Sequence, residues 1–349
     1  MPKELHRKAA EAGILGVAFP AEHGGGGGDM LTSMLVTEEL ILAGASSGLC
    51  AALFTHGIAT PHILAAGDRR QIERWVLPTL RGELIGSLAV SEPDAGSDVA
   101  RISTRAVRQG DRYVLNGAKT FITSGCRADF VTVAARTGGE GYQGISLLVV
   151  ERGMPGFSVS KELEKMGWWC SDTAELAFQD VEVPAENLVG EEGSGFLQLM
   201  KHFQGERLGL AVHAYAIAAR CLQLTIEYAA ERQTFGRPLT SRQVIRHKLA
   251  EMARRADVAR TYALRVAERQ LAGEDVVKEV AMAKNQAIEA CDFVVDQAVQ
   301  VHGGAGYLRG EVERHYRDAR ILGIGGGSSE IMNEIIAARL GLDPSRPQN

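Results

Sequence analysis

The feature that most constrains this chain is a double change of hydrophobic period. From about Gly82 to Pro184, short apolar runs follow one another with turn residues between them; after Gly195, apolar residues recur every three or four positions. Strands put alternate residues on one face and helices put every third or fourth there, so the two periods demand different backbones. The runs in the middle stretch are Arg105-Ala106-Val107-Arg108, Arg112-Tyr113-Val114-Leu115, Phe130-Val131-Thr132-Val133-Ala134, Ile145-Ser146-Leu147-Leu148-Val149-Val150 and Ala174-Glu175-Leu176-Ala177-Phe178. No helix-length pattern separates them, which predicts an antiparallel sheet or small barrel. Gln109-Gly110-Asp111 reads as a turn, and Asn116-Gly117 adds a hairpin signal before Lys119-Thr120-Phe121-Ile122-Thr123.

Beyond Gly195 three stripes have helical spacing: Phe203, Leu210, Ala214, Ile217, Cys221, Leu224; then Leu249, Met252, Ala256, Ala259, Ala263, Val266; then Ala287, Cys291, Val294, Ala298, Val301. With a last helix from about Ser329 to Leu340, they predict a four-helix bundle. Before Gly82, Gly13, Gly57 with Pro61, and Gly67-Asp68 punctuate short helices. The expected class is α+β: an N-terminal helical domain (residues 1–82), a middle antiparallel β-barrel-like domain (83–186) and a C-terminal four-helix bundle (187–349).

Charge and composition narrow the function. A net charge of −5 supplies no basic field for nucleic acid or anionic lipid. Apolar runs fall short of a membrane span, so no membrane insertion is expected. Met1-Pro2-Lys3-Glu4-Leu5 lacks the apolar core of a secretory signal. The five cysteines are scattered without a CxxC pair, which fits packed thiols in a cytoplasmic protein and no metal site. The glycine run 24–28 is followed by Asp29-Met30 rather than the Lys-Ser/Thr of a phosphate loop, and is expected to be a flexible connector.

Chemistry concentrates at segment ends. Leu88-Ala89-Val90-Ser91-Glu92-Pro93-Asp94-Ala95-Gly96-Ser97-Asp98-Val99 places small, polar and turn-forming residues behind an apolar run. On its residues alone it is either a polar turn closing a strand or an edge that holds a polar ligand. Asn116-Gly117-Ala118-Lys119-Thr120-Phe121-Ile122-Thr123-Ser124-Gly125 is either a hairpin strand with an inward Phe or a site where an aromatic ring packs on a ligand. Glu231-Arg232-Gln233-Thr234-Phe235-Gly236-Arg237-Pro238-Leu239, Gln300-Val301-His302-Gly303-Gly304-Ala305-Gly306-Tyr307 and Ile324-Gly325-Gly326-Gly327-Ser328-Ser329-Glu330-Ile331 are loops next to helix ends, where backbone N–H groups approach anions. Glu206 lies in helical register with Leu210, His213 and Ile217, so its carboxylate borders an apolar stripe. It is either a solvated helix residue or a carboxyl made more basic by desolvation.

These motifs, in this order, resemble those of the flavin-dependent acyl-CoA dehydrogenases along nearly the whole chain. The resemblance implies FAD as cofactor, with Val90, Ser91, Ser97, Phe121 and Thr123 as flavin contacts from the sheet. Phe121 stands where the family often has tryptophan. Arg232, Phe235 and Gln243 would reach the FAD of a neighbouring subunit, and Gln300, Gly303, Gly304, Ser328 and Glu330 would complete the cofactor site. Ser97, Arg207 and Gly326 would contact the substrate. Many family members carry the catalytic glutamate where this chain has Gly326, which holds no proton. Gln204-Gly205-Glu206-Arg207-Leu208 resembles the helix placement of the long-chain and isovaleryl-type members, making Glu206 the implied base. Gly326 would keep a backbone N–H for the thioester oxygen.

The implied reaction is α,β-dehydrogenation of an acyl-CoA to a trans-2-enoyl-CoA, with electrons passed to an electron-transfer flavoprotein by a homotetramer. An oxygen-using oxidase or flavin monooxygenase on the same fold is the alternative, and a non-catalytic helical scaffold is the third reading. Two departures from the family pattern are expected from the resemblance: the helix that family members usually have ahead of the segment resembling Leu5–Phe19 is not found in this sequence, whose start is either misassigned or opens a smaller helical domain, and the stretch from Tyr307 to Tyr316 is about one residue short near Gly310.

Overall fold

The computed structural model describes residues 1–342; residues 343–349, the end of the expected C-terminal region, lie outside them. The chain is α+β, with N-terminal helices, a middle sheet and long C-terminal helices. By contacts it forms two compact units. The first comprises residues 1–29, 51–165 and 169–203, and the second residues 30–50, 166–168 and the chain from 204 on. Compactness therefore cuts inside the N-terminal helical stretch, where composition shows no break.

The first unit is built on β1 (Gly86–Ala89), β2 (Arg105–Gln109), β3 (Arg112–Thr123), β4 (Phe130–Arg136), β5 (Ile145–Glu151), β6 (Phe157–Glu162) and β7 (Thr173–Pro184). The sheet order is β1-β4-β2-β3-β7-β6, and β5 pairs with β4. Most ladders are antiparallel, but β4 runs parallel to both β1 and β2, which corrects the all-antiparallel expectation. β4 and β5 are buried on both faces, and such strands read as continuous apolar runs without alternation. Tyr113, Leu115, Val133, Val150, Leu176 and Val183 form one core with their neighbours; Trp75, Phe130, Ile145, Leu147 and Leu199 belong to another. The first helix, α1 (Lys3–Glu11), belongs to this unit.

Two local expectations fail in this unit. Asn116-Gly117 is no hairpin turn: β3 runs unbroken through it, and the reversal is at Gly110. Gly117 sits at φ +147, and a Cβ there would lie 2.5 Å from Thr104 Oγ1. The pairing with β7 shifts between Leu115 and Gly117, a bulge closed by Asn116 Nδ2 donating to Asp180 Oδ1 at 2.9 Å and Asp180 N–H donating to Asn116 Oδ1 at 2.9 Å. The Gly24–Gly28 run is no flexible connector either. Its N–H groups donate to Ala21, Pro20, Gly16, Phe19 and Val17 carbonyls in turn, and a Cβ on Gly25 would overlap the Phe19 carbonyl. Glycine serves there for close backbone approach.

The second unit holds α2 (Met30–Leu42), most of α3 (Gly195–Glu231), α4 (Gln243–Leu271), α5 (Val277–His302), α6 (Glu311–Ala319) and α7 (Ser329–Arg339). The expected stripes are its core: Met252, Ala256, Ala259, Ala263 and Val266 of α4 are buried, as are Ala287, Cys291, Val294, Ala298 and Val301 of α5. Glu38 of α2 is buried with Arg260 Nε at 2.6 Å and the Tyr215 hydroxyl donating to it at 3.2 Å. Ser328 caps α7 by accepting from the Ile331 N–H. Among the described residues α3 is the one single helix long and apolar enough to cross a membrane, and 56% of its apolar window is buried.

Candidate active site

In the first unit, the two segments expected to hold the flavin are tied together by a buried ion pair. Lys119 projects inward from β3, and its ammonium donates to the Val90 carbonyl at 2.8 Å and to Glu92 Oε1 at 2.8 Å. Glu92 also accepts from Ser103 N–H at 2.6 Å, Ser103 Oγ at 2.7 Å and Thr104 N–H at 2.9 Å. Burial alone would raise the Glu92 pKa. The Lys119 ammonium and these donors outweigh it and hold the carboxyl at about 2. Burial lowers Lys119 to about 8 despite its partner. The Ser91 carbonyl accepts from Thr120 N–H at 3.0 Å, and Ser87 Oγ donates to the Thr123 carbonyl at 2.6 Å.

This clamp fixes the end of β3, where the register shifts between Lys119 and Ile122. Phe121 in that shift has φ 60 and is 71% exposed. A bulky residue with positive φ is a strained outlier, and an exposed ring gains nothing from it within the fold. The hairpin reading of an inward Phe is thus overturned: Phe121 points out, beside half-buried Thr123. Ser91 is half-buried, Ser97 is exposed, and Val90 is buried with its carbonyl already committed to Lys119.

In the second unit, Phe235 lies in the turn between two-residue strands β8 (Gln233–Thr234) and β9 (Arg237–Pro238). It has φ 51 and is 96% exposed, with the Arg242 guanidinium 5.7 Å from its ring centre. Arg232, at the start of this loop, is exposed, as is Gln243 at the start of α4. Gln300, Gly303 and Gly304 are exposed at the end of α5, where Gly303 has φ 58. Ser328 is half-buried and Glu330 exposed at the start of α7. The short stretch near Gly310 resolves as a helical turn, Gly304–Tyr307, followed by α6 from Glu311.

The deciding geometry of this unit is around Gly326. A Cβ on Gly326, which has φ +63, would overlap Leu210 Cδ1 and lie 3.4 Å from Glu206 Oε1. Leu210 on α3 therefore occupies the space into which a side chain at 326 would start, and the Glu206 carboxylate lies directly beside it. Burial raises the Glu206 pKa, partly offset by the Lys284 and Arg207 charges. Arg207 is buried, with Nη2 3.8 Å from where a Cβ on Gly327 would sit. His213, two turns further along α3, is held neutral by burial with a pKa of about 4, and its Nδ1 lies 2.8 Å from Ser47 Oγ. Glu206 is thus the carboxyl beside the glycine loop. A half-buried carboxyl whose pKa is raised by desolvation can accept a proton and return it.

Three family models match in chain order. That described as acyl-CoA dehydrogenase, N-terminal domain covers residues 1–83; the middle domain covers 87–181 and the C-terminal domain 193–341. The chain belongs to the acyl-CoA dehydrogenase family. A crystal structure titled as a probable acyl CoA dehydrogenase from Mycobacterium abscessus superposes with TM-score 0.97 at 66% identity, covering 98% of this chain and 91% of that one. The Bacillus subtilis protein named probable acyl-CoA dehydrogenase YngJ is 39% identical over 97% of this chain and 90% of its own length. A protein of Anaerotignum propionicum named acryloyl-CoA reductase (NADH) is 40% identical over 96% of this chain and 86% of its own. This acyl-CoA dehydrogenase family member is an oxidoreductase, and FAD is the cofactor of the family.

The residues present suit that cofactor. In the first unit, exposed Phe121 at positive φ offers flat apolar surface; in the second, exposed Phe235 at positive φ and exposed Arg232 offer a ring and an anion-binding fork. Two buried cations that hold backbone carbonyls at these places were not singled out as sites from the sequence: Lys119, and Lys284, which is taken up below. Each is a lone cation at an inward position of an otherwise apolar pattern, and that misplacement is the signal that reveals it.

Proposed function

We propose that the protein oxidises the α,β bond of an acyl-CoA thioester to a trans-2-enoyl-CoA, with Glu206 as α-proton acceptor and an electron-transfer flavoprotein as electron outlet. The observation that carries this reading is the convergence of Glu206 on Gly326: the helix carboxylate lies 3.4 Å from where a Cβ at 326 would sit. Bound FAD supplies the acceptor for the β-hydride. Phe121, Thr123, Val90, Ser91 and Ser97 are the contacts proposed for it on the sheet unit. Arg232, Phe235, Gln243, Gln300, Gly303, Gly304, Ser328 and Glu330 are those proposed on the helical unit, some serving the cofactor of a neighbouring copy in a cytoplasmic homotetramer.

Glu206 takes the proton from the carbon next to the thioester. Its desolvation makes it a stronger base, while Arg207 and Lys284 keep it ionised enough to act. The Gly326 N–H receives the thioester oxygen as negative charge develops there. Arg207 and Ser97 position the substrate.

The name of the acryloyl-CoA reductase relative supports a second reading, in which the same carboxyl delivers a proton to an enoyl thioester. One carboxyl serves both senses, and the electron partner decides between them. The test is anaerobic bleaching of the yellow protein by a panel of acyl-CoA thioesters, beside oxidation of NADH with enoyl-CoA. Glu206→Gln is expected to lower turnover about 10²- to 10⁴-fold, the span of general-base catalysis. Full turnover by that variant refutes the assigned base. Rapid peroxide formation would favour an oxidase, and purification without flavin, with no uptake of added FAD, would overturn the enzyme reading.

A further inference from the structure

Lys284 lies on α5 among buried Val280, Ala281, Ala283, Ala287 and Ile288, and is itself 0% exposed. Among the described residues no carboxylate forms an ion pair with it directly. Its ammonium donates instead to the Gly325 carbonyl at 2.6 Å and to the Gly327 carbonyl. The next residue, Asn285, donates to the Ser329 carbonyl at 3.0 Å and to Asn333 Oδ1 at 2.9 Å. One turn of α5 thus grips the Gly325–Gly327 loop and the start of α7.

A buried cation is costly unless satisfied, so its use on two carbonyls of a triple-glycine loop requires a reason. Glycine peptides rotate freely, and nothing intrinsic to Gly325-Gly326-Gly327 selects one orientation. A trans peptide group points its C=O and N–H in opposite directions. Holding the Gly325 carbonyl toward Lys284 therefore turns the Gly326 N–H away from the ammonium. Holding the Gly327 carbonyl does the same for the Ser328 N–H.

We propose that Lys284 is a positioning residue: by gripping the carbonyls on either side of Gly326, it aims the Gly326 N–H at the thioester oxygen. This deepens the proposed reaction and rests on that reading of Gly326. Lys284 acts through the loop and touches no reacting atom. The same ammonium contributes positive charge beside Glu206, favouring its ionised form.

The test uses holoenzyme carrying Lys284→Met or Lys284→Gln. The probes are acyl-CoA analogues with sulfur in place of the β-methylene, which lose the α-proton but donate no hydride. The absorbance of the bound, deprotonated analogue is titrated against pH, and amide hydrogen exchange is followed across residues 325–328. The expected result is a rise of about one unit or more in the midpoint for analogue deprotonation, equivalent to about a tenfold weaker bound enolate. Exchange across the loop quickens, kcat falls about 10- to 100-fold, less than the loss on deleting an oxyanion donor outright, and KM changes little. Lys284→Arg, which keeps charge and donors, restores part of the loss.

Wild-type midpoint and exchange in either neutral variant overturn the proposal. So does failure of both to yield holoenzyme, which would make Lys284 a folding residue. Glu206→Gln separates the two readings. If that variant still deprotonates the analogue, Glu206 loses its role, while the exchange data on the Lys284 variants still decide the loop grip.

Discussion

Replacing Lys119 by Met tests the physical basis of the edge proposed to bind flavin. The Lys119 side chain is 0% exposed and that of Glu92 4%, so neither is screened by solvent. The substitution leaves Glu92 buried with Ser103 and Thr104 as donors and no counter-charge. Breaking one side of a buried pair costs about 3–5 kcal/mol. The Glu92 pKa points the same way: the Lys119 ammonium, with the Ser103 and Thr104 donors, pulls it down against burial to about 2. The lowered Lys119 pKa opposes this gain at neutral pH, so the stability at stake is taken from the broken pair and not from the carboxyl shift alone. A depressed carboxyl pKa contributes stability above the unfolded value. The contribution fades as pH falls below 4.5 and is gone near 2.

Lys119→Met is therefore expected to lower the urea midpoint at pH 7, to differ less from the wild type at pH 4, where protonation relieves the stranded Glu92 charge, and to hold FAD less tightly because the Val90 carbonyl loses its inward donor. Adding Glu92→Gln removes the stranded charge, so the double variant should be more stable than the sum of the single losses predicts. The assay is urea unfolding followed by flavin fluorescence and far-ultraviolet circular dichroism, at pH 7 and pH 4. A loss under about 1 kcal/mol with wild-type FAD affinity would refute the reasoning that this pair sets the strand end.

Gly326→Ala should cut turnover while leaving most of the fold intact, since its methyl overlaps Leu210 Cδ1 and its φ of +63 costs an L-residue about 1–2 kcal/mol; Leu210→Ala in the same chain should relieve the overlap alone. Phe121→Gly should raise the melting temperature of the flavin-free protein by relieving φ 60, yet weaken FAD binding, and unchanged FAD affinity would remove Phe121 from the site. The acid limb of kcat/KM should lie above the usual carboxylate range, because burial raises Glu206 and activity falls as pH drops through its pKa.

The class of fold was legible because periodicity is local. The α4 and α5 stripes are the core of the helical unit, and α7 starts at the expected Ser329. Turn chemistry was less dependable. Asn116-Gly117 carries the composition of a hairpin, but β7 pairs with β3 across it and the Asn116–Asp180 hydrogen bonds make it a bulge. The glycine run 24–28 looks loose in one dimension and is tight in three, because Val17 and Phe19 fold back onto it.

Sequence alone determined the order of helical, strand and helical regions and that a carboxyl borders the apolar stripe at 206; the resemblance to the family added that Gly326 stands where many members carry a carboxyl. The first two follow from residue identity and spacing. Only tertiary structure decided that the two positions, 120 residues apart, share one space, that Phe121 faces outward, and that two buried lysines grip carbonyls. Proximity between distant segments and the direction of a side chain arise from packing, which no local pattern encodes.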